Sequence, residues 1–143
     1  MPREITPYLM FDGDCKQAMT FYHQVLGGKL DLMTYGQADP TASAEDKDKV
    51  IHARLENGST VIMASDSGKG MPVKDGDDVW LSLQCGAASE VDAIYAKLAD
   101  GGQSSQPPHD AFWGTRFGML TDRFGVQWMV NSDPLPGSQR GPG

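Results

Sequence analysis

The chain has 143 residues, the size of one ordinary domain or of two small units packed together. Its 12 basic and 19 acidic side chains give a formal charge of −7, which argues against nucleic acid or an anionic membrane as a partner. No apolar run is long enough to span a bilayer, and no basic segment followed by an apolar stretch opens the chain. Two cysteines, Cys15 and Cys85, are too few for a disulfide scaffold. We therefore expect a cytoplasmic globular protein with reduced thiols.

The first half of the sequence predicts one helix among several strands. Apolar side chains recur at helical spacing from Cys15 to Leu26, with Asp14 as the expected N-cap and Gly27-Gly28 as the stop. The elements predicted for this half are a strand at 5–11, the helix at 15–26, a strand at 29–35, a polar loop at 36–48 and two strands at 50–56 and 59–65.

Asn57-Gly58 is typical of a two-residue type I′ hairpin turn between the last two of these strands. A turn centred there predicts the opposite pairs Leu55–Thr60, Arg54–Val61, Ala53–Ile62 and His52–Met63. It also predicts that alternate side chains, His52, Arg54, Val61 and Met63 among them, share the face away from the core.

The second half repeats the order of the first. It predicts a strand at 79–85, a helix opened by Ser89 and Glu90 and closed by Gly101-Gly102, a loop at 103–110 that contains prolines, and strands at 115–121 and 126–131. The organisation expected is a first module at 1–66, a linker at 67–78, a second module at 79–131 and a disordered tail at 132–143.

These patterns predict an α+β fold of two βαβββ modules. Paired modules bury one sheet face each, so we expect a curved, mostly antiparallel sheet with the helices on its convex face. The concave face is left free for a ligand.

Several motifs, taken in order, resemble the vicinal oxygen chelate superfamily, which includes glyoxalase I, bleomycin-resistance proteins and extradiol dioxygenases. Residues 21–28 (FYHQVLGG) resemble its first-helix signature, and residues 122–125 (DRFG) its late hairpin turn, although Arg123 replaces the usual proline. Further segments resemble the PhnB-like branch: residues 7–13, 52–55, 64–66 and 113–114.

The resemblance implies a test of metal binding. Superfamily enzymes usually hold a divalent metal with His, Gln or Glu from the first, fourth, fifth and eighth strands, and these positions fall at Thr6, Met63, Asp78 and Met129. Only Asp78 is an ordinary ligand for a hard metal, and thioethers suit copper(I) instead. A rebuilt site from His52, Glu56, Asp66 and Asp78 is the alternative. We expect no metal and no other cofactor.

The alternation of side chains along the predicted strands predicts that methionine and tryptophan, with a few polar groups, line the concave face, as in small-molecule pockets. The predicted ligand-binding residues are Tyr8, Arg54, Met63, Trp80, Gln84, Arg116 and Met129 on the concave face, with Trp113 in the loop before the seventh strand. His52 is the predicted acid–base residue, since imidazole exchanges protons near neutral pH. Arg54 and Arg116 suggest an anionic or oxygen-rich ligand, or else ordinary salt bridges at the rim.

Three functions stay open at this point. The first is a metal-independent enzyme acting on a small molecule through His52. The second is a binding protein that sequesters its ligand, as bleomycin-resistance proteins do, and the third is a metal-dependent lyase or dioxygenase with a non-standard site. The resemblance also implies a homodimer. Cys15, at the start of a helix, carries the possibility of a lowered thiol pKa, although simple packing is favoured.

Overall fold

A computed structural model describes residues 4–67, 73–74, 76 and 78–137. Two compact units divide the chain, Met1–Lys74 and Asp75–Gly143, and the division falls within the stretch 67–78. Within the described ranges, no helix is long and apolar enough to cross a membrane.

The first unit is a four-stranded mixed sheet with a helix on one face. Its elements are β1 (Tyr8–Phe11), α1 (Cys15–Leu26), β2 (Lys29–Thr34), the short α2 (Tyr35–Ala38), β3 (Val50–Asn57) and β4 (Thr60–Asp66). The strand order is β1-β4-β3-β2, with β1 parallel to β4 and the other pairs antiparallel.

The second unit has the same topology. Its elements are β5 (Leu81–Gln84), α3 (Ala88–Ala99), β6 (Gln103–Asp110), β7 (Thr115–Thr121) and β8 (Gln127–Pro134), and the order is β5-β8-β7-β6 with β5 parallel to β8. The predicted repeat of βαβββ modules in an α+β fold is thus confirmed. The curvature of the predicted sheet stays a prediction.

The core of each unit lies between its helix and its sheet. Along α1 the buried side chains are Cys15, Ala18, Met19 and Tyr22, and along α3 they are Val91, Tyr95 and Leu98. Both sets follow the helical repeat, so each helix buries one stripe.

The predicted register of the β3–β4 hairpin is wrong. Asn57 pairs with Thr60 and Arg54 with Met63, so the turn residues are Gly58 and Ser59. Gly58 has a φ of 59°, and among the described residues only glycines have a positive φ, so Ser59 does not, which favours a type II′ turn over type I′. Since the register differs by two residues, every side chain keeps its predicted face.

Two segments expected to lack regular structure are strands. Residues 103–110 form β6 despite Pro107 and Pro108, because an edge strand with register irregularities tolerates a missing N–H donor. At the other end, β8 continues through the buried Ser132 to Pro134, where the tail was expected to start. Residues 138–143 lie outside the described ranges.

The ends of the elements differ in smaller ways. β5 is shorter than the predicted strand at 79–85, and α2 occupies part of the predicted loop at 36–48. Asp14 precedes α1 without a side-chain capping bond. Asp66, at the end of β4, accepts the N–H of Gly13 and of Cys15 instead, each at 2.9 Å.

Candidate functional site

Four of the predicted site residues lie together on the open face of the first sheet, the face opposite α1. Met63 on β4 pairs with Tyr8 on one side and with Arg54 on the other. His52 lies two residues before Arg54 on β3, and strand alternation places the two side chains on the same face.

His52 is held by Tyr8. The Tyr8 hydroxyl lies 3.2 Å from His52 Nδ1, and the two ring centroids are 5.9 Å apart. The other two histidines bond main-chain carbonyls: His23 Nε2 lies 2.9 Å from the oxygen of Gly28, and His109 Nδ1 lies 2.9 Å from that of Pro107. In the described part of the chain, only His52 therefore has a side chain as its hydrogen-bond partner.

Arg54 is part of an ion pair and lines a cleft. Its Nη1 lies 2.8 Å from Glu56 Oε1, and both side chains are partly exposed. The cleft has a volume of about 450 Å³. The residues around it are Glu4, Ile5, Thr6, Arg54, Glu56, Gly58, Ser59 and Val61. The guanidinium keeps further N–H groups for a ligand, but an anionic group there has to compete with Glu56.

In the second unit, Gln84 and Met129 lie on the open face of the sheet. Met129 pairs with Ser82 and Met119, and Gln84 pairs with Asn131. Trp80 precedes β5 and is half-buried.

Trp113 is tied to Gln84 through a chain of hydrogen bonds. The indole N–H donates to Thr115 Oγ1 at 2.7 Å, and the Thr115 hydroxyl donates to Asn131 Oδ1 at 2.6 Å. Asn131 Nδ2 then donates to Gln84 Oε1 at 3.2 Å. Trp113 also packs edge-on against Phe117, with ring centroids 5.2 Å apart. These hydrogen bonds fix the orientation of Trp113 and Gln84, two of the predicted ligand-binding residues.

The predicted position of Arg116 is wrong. Its Nε lies 3.0 Å from Asp92 Oδ1 on α3, and its Nη1 lies 3.1 Å from Asp110 Oδ1 on β6. An ion pair with α3 places the side chain on the helix side of the sheet. These hydrogen bonds raise the pKa of Arg116, that with Asp92 most, so it stays charged. Alternation along β7 places Arg116 on the same face as Leu120, which is buried and pairs with Trp128, so the predicted face did not follow the strand pattern.

The two thiols are buried and protonated. Burial, reinforced by the charges of Asp66 and Asp14, raises the pKa of Cys15 from 9.0 to about 12. Burial and the charge of Glu90 raise the pKa of Cys85 to about 11. The suggestion of a lowered pKa at Cys15 is wrong, because the desolvation outweighs the helix N-terminus.

The match to known proteins covers nearly the whole described chain. The sequence model of the glyoxalase/bleomycin resistance protein/dioxygenase superfamily matches residues 4–130. The chain belongs to that superfamily.

Three relatives of this superfamily protein come from bacteria. Protein YjdN of Escherichia coli strain K12 is 30% identical over 140 residues, which cover 89% of this chain and 93% of that protein. The crystal structure of protein PA1353 from Pseudomonas aeruginosa is 41% identical, with a TM-score of 0.83 over 92% of this chain and 98% of that one. The PhnB protein of Bacillus cereus is 26% identical, with a TM-score of 0.74 over 91% and 99% of the two chains. The expected likeness to PhnB-like proteins is confirmed.

The donor set does not fit the superfamily's divalent metal. The positions that the resemblance assigns hold a hydroxyl, two thioethers and one carboxylate, at Thr6, Met63, Met129 and Asp78. Hard divalent cations prefer oxygen and imidazole ligands to thioethers. In the alternative set, the Asp66 carboxylate is already occupied by three main-chain N–H groups. Over the described ranges, no three His, Cys, Asp or Glu side chains are placed to hold a metal ion.

Sequence reasoning missed several residues around these faces. Met33 lies opposite His52, and Phe117 and Asn131 connect Trp113 to the open face of the second sheet. The alternation within 29–34 carries enough signal to find Met33. Alternation also places Phe117 with Met119 on β7 and Asn131 with Met129 on β8, so the same signal was available for these two residues.

Proposed function

We propose that the protein binds a small organic molecule on the open face of the first sheet, and that His52 moves a proton of that molecule without the superfamily's divalent metal. The observation that carries the proposal is the contact of 3.2 Å between Tyr8 and His52 Nδ1 on a face that holds Arg54 and Met63. A hydroxyl that fixes one ring nitrogen leaves the other directed elsewhere, as in sites where histidine acts as acid or base.

The surroundings of His52 support a ligand that is partly apolar and rich in oxygen. Tyr8 is 46% exposed and Met10 is 42% exposed, so this face presents apolar surface to the solvent. The Arg54–Glu56 pair and the 450 Å³ cleft add charged donors and acceptors beside it. Small-molecule sites combine such apolar surface with a few polar groups that orient the ligand.

The first experiment is a ligand screen read out on the histidines. Protein with isotope-labelled histidine rings gives three ring signals, for His23, His52 and His109. Compounds from a set of carboxylates, hydroxyketones and catechols that bind the proposed site shift the signal of His52 and leave the other two unchanged. Equal shifts of all three signals, or none for any compound, would contradict the proposed site.

Turnover is then separated from binding with His52→Gln. The side chain is exposed, so the variant is expected to fold with wild-type stability, which denaturation checks. Loss of about 10²–10⁴-fold in conversion of the bound compound, with unchanged affinity, is the expected result for a general acid or base. Binding with no conversion by the wild type would favour the second candidate, a sequestering protein in which Arg54 and the cleft hold the ligand.

A further inference from the structure

Three methionines surround His52 on the open face of the first sheet. Met33 on β2 lies directly opposite His52, and Met63 on β4 pairs with Arg54, which places it diagonally from His52. Met10 on β1 pairs with Ser65. Met10 and Met33 are 42% and 50% exposed, so neither sulfur is needed to fill the core.

The strand register brings Met33 and Met63 within reach of the imidazole, and Met10 lies one strand further away. Residues directly opposite in an antiparallel pair have their Cβ atoms about 4.5–5.5 Å apart, and diagonal neighbours about 7–8 Å. Methionine has three rotatable bonds and adapts its sulfur position readily. The Ser65 hydroxyl lies 3.4 Å from Met10 Sδ, and Ser65 is the next residue after Ala64, which faces Ala53 beside His52. The Met10 sulfur is therefore turned towards β4, the strand that lies between Met10 and His52.

The free nitrogen of His52 completes the donor set. Nδ1 is held by the Tyr8 hydroxyl, while Nε2 has no hydrogen-bond partner among the described residues. Histidines that bind metals usually have their second ring nitrogen fixed by a hydrogen bond, which sets the orientation of the ring. Tyr8 provides such a contact.

We propose that His52 Nε2 and the thioethers of Met33, Met63 and Met10 form a binding site for a soft monovalent cation of the copper(I) class. Thioether sulfur selects soft cations, and imidazole binds copper as well. The inference goes beyond the proposed function, because it concerns a different ligand on the same face. A cation bound to Nε2 occupies the atom proposed to transfer a proton, so cation and substrate compete.

The test uses silver(I), which is diamagnetic and undergoes no redox change under the conditions of the experiment. Protein labelled with ¹³C at the methionine methyl groups is titrated with silver(I) and followed by NMR. We expect the methyl signals of Met33, Met63 and Met10 to shift at equimolar silver, and zinc(II) to shift none of them. Met19 is an internal control, because it lies one turn from the Cys15 thiol on α1 and reports binding of silver to that thiol instead.

Matched variants measure the contribution of the ligands. Met33→Leu and Met63→Leu keep the volume and remove the sulfur, and each is expected to weaken silver(I) binding at least as much as loss of an outer-shell partner, about 10- to 100-fold. Met119→Leu and Met129→Leu make the same change on the second sheet and are expected to leave the affinity unchanged. Tyr8→Phe removes only the contact to Nδ1 and is expected to weaken binding by about 10- to 100-fold.

The site is refuted if the methyl signals of Met119 and Met129 shift as much as those near His52, or if Met19 alone responds. It is also refuted if the four Leu variants bind silver(I) equally well. Since the silver titration requires no substrate, its result is independent of whether the organic ligand is found. A positive silver result with no compound that shifts His52 would remove the proposed function and leave the cation site.

Discussion

Asp66 connects three segments of the first unit through one buried carboxylate. Oδ1 accepts the N–H groups of Gly13 and Cys15, and Oδ2 accepts that of Val50 at 2.8 Å. The side chain is 2% exposed, so water cannot replace these bonds. The start of α1 and the start of β3 are thereby attached to the end of β4.

We predict that Asp66→Asn lowers the free energy of unfolding by about 2–3 kcal/mol, because an amide NH₂ replaces one acceptor and leaves a buried N–H without a partner. Urea denaturation measures the change. Asp46→Asn is the matched control: Asp46 forms a partly exposed pair with Lys49 at 3.3 Å, and its loss is expected to cost less than about 1 kcal/mol. Equal losses in the two variants would show that the three bonds contribute no more than a surface ion pair.

The glycine pairs Gly27-Gly28 and Gly101-Gly102 allow the same close approach between helix end and sheet in the two units. A Cβ on Gly28 would lie 2.3 Å from the main-chain oxygen of Glu56 on β3, and one on Gly102 would lie 2.2 Å from that of Thr121 on β7. β3 and β7 are the corresponding strands of the two units. The chain leaving each helix therefore passes against its sheet at a distance that excludes any side chain.

Gly28→Ala is expected to destabilise the first unit more than Gly13→Ala. Both glycines have a positive φ, +91° and +94°, so both variants have the strain of a left-handed backbone, about 1–2 kcal/mol. Gly13 has nothing within 4 Å of the added Cβ, whereas Gly28 meets Glu56, which adds about 1–3 kcal/mol. The difference between the urea midpoints of the two variants measures the steric cost of a Cβ at Gly28. If the two variants unfold together, the steric argument fails.

The sequence predicted the elements where the local signal was strong. The helix at Cys15–Leu26 and the strand at Thr115–Thr121 have the bounds that were predicted, because a periodic pattern between clear stops determines them. β6 was missed because its prolines are typical of a loop, and only its place at the edge of the sheet makes them tolerable. The hairpin register was missed because Asn57-Gly58 and Gly58-Ser59 are both acceptable turns.

Strand alternation predicted which residues share the open face of the first sheet, whereas a functional role for them stays a prediction. His52, Tyr8, Arg54 and Met63 share a face because alternate residues of a strand do. Arg116 was assigned to the wrong face although alternation along β7 places it with Leu120, which lies in the core, and its ion pair with Asp92 lies on that side.

For the molecule as a whole, the two buried thiols are expected to lower the free energy of unfolding at alkaline pH. Burial raises the pKa of Cys15 to about 12 and that of Cys85 to about 11, whereas an unfolded thiol ionises near 9.0. Below pH 9 both states keep the protons and the stability is complete. As the pH rises from 9 towards 11–12 the unfolded chain releases protons that the folded chain retains, so the free energy of unfolding falls.

The expected fall is up to about 1.4 kcal/mol per pH unit for each thiol. Urea unfolding at a series of pH values from 8 to 11 measures the slope. Cys15→Ala is expected to make the slope shallower than that of the wild type, and ionisation of the other groups is common to both proteins. Parallel curves would show that the Cys15 thiol ionises alike in the folded and unfolded chain.

The parallel pairing of the first and last strands in each unit also determines when a unit can close during synthesis. Met10 pairs with Ser65, which lies 55 residues later in the chain. At about 5–20 residues per second, β1 leaves the ribosome about 3–11 seconds before its partner strand is made. The nascent chain therefore carries an unpaired strand while α1, β2 and β3 are already available, and the second unit repeats the delay with β5 and β8. The short length of β1 and β5, four residues each, limits the edge that is exposed to other nascent chains in that interval.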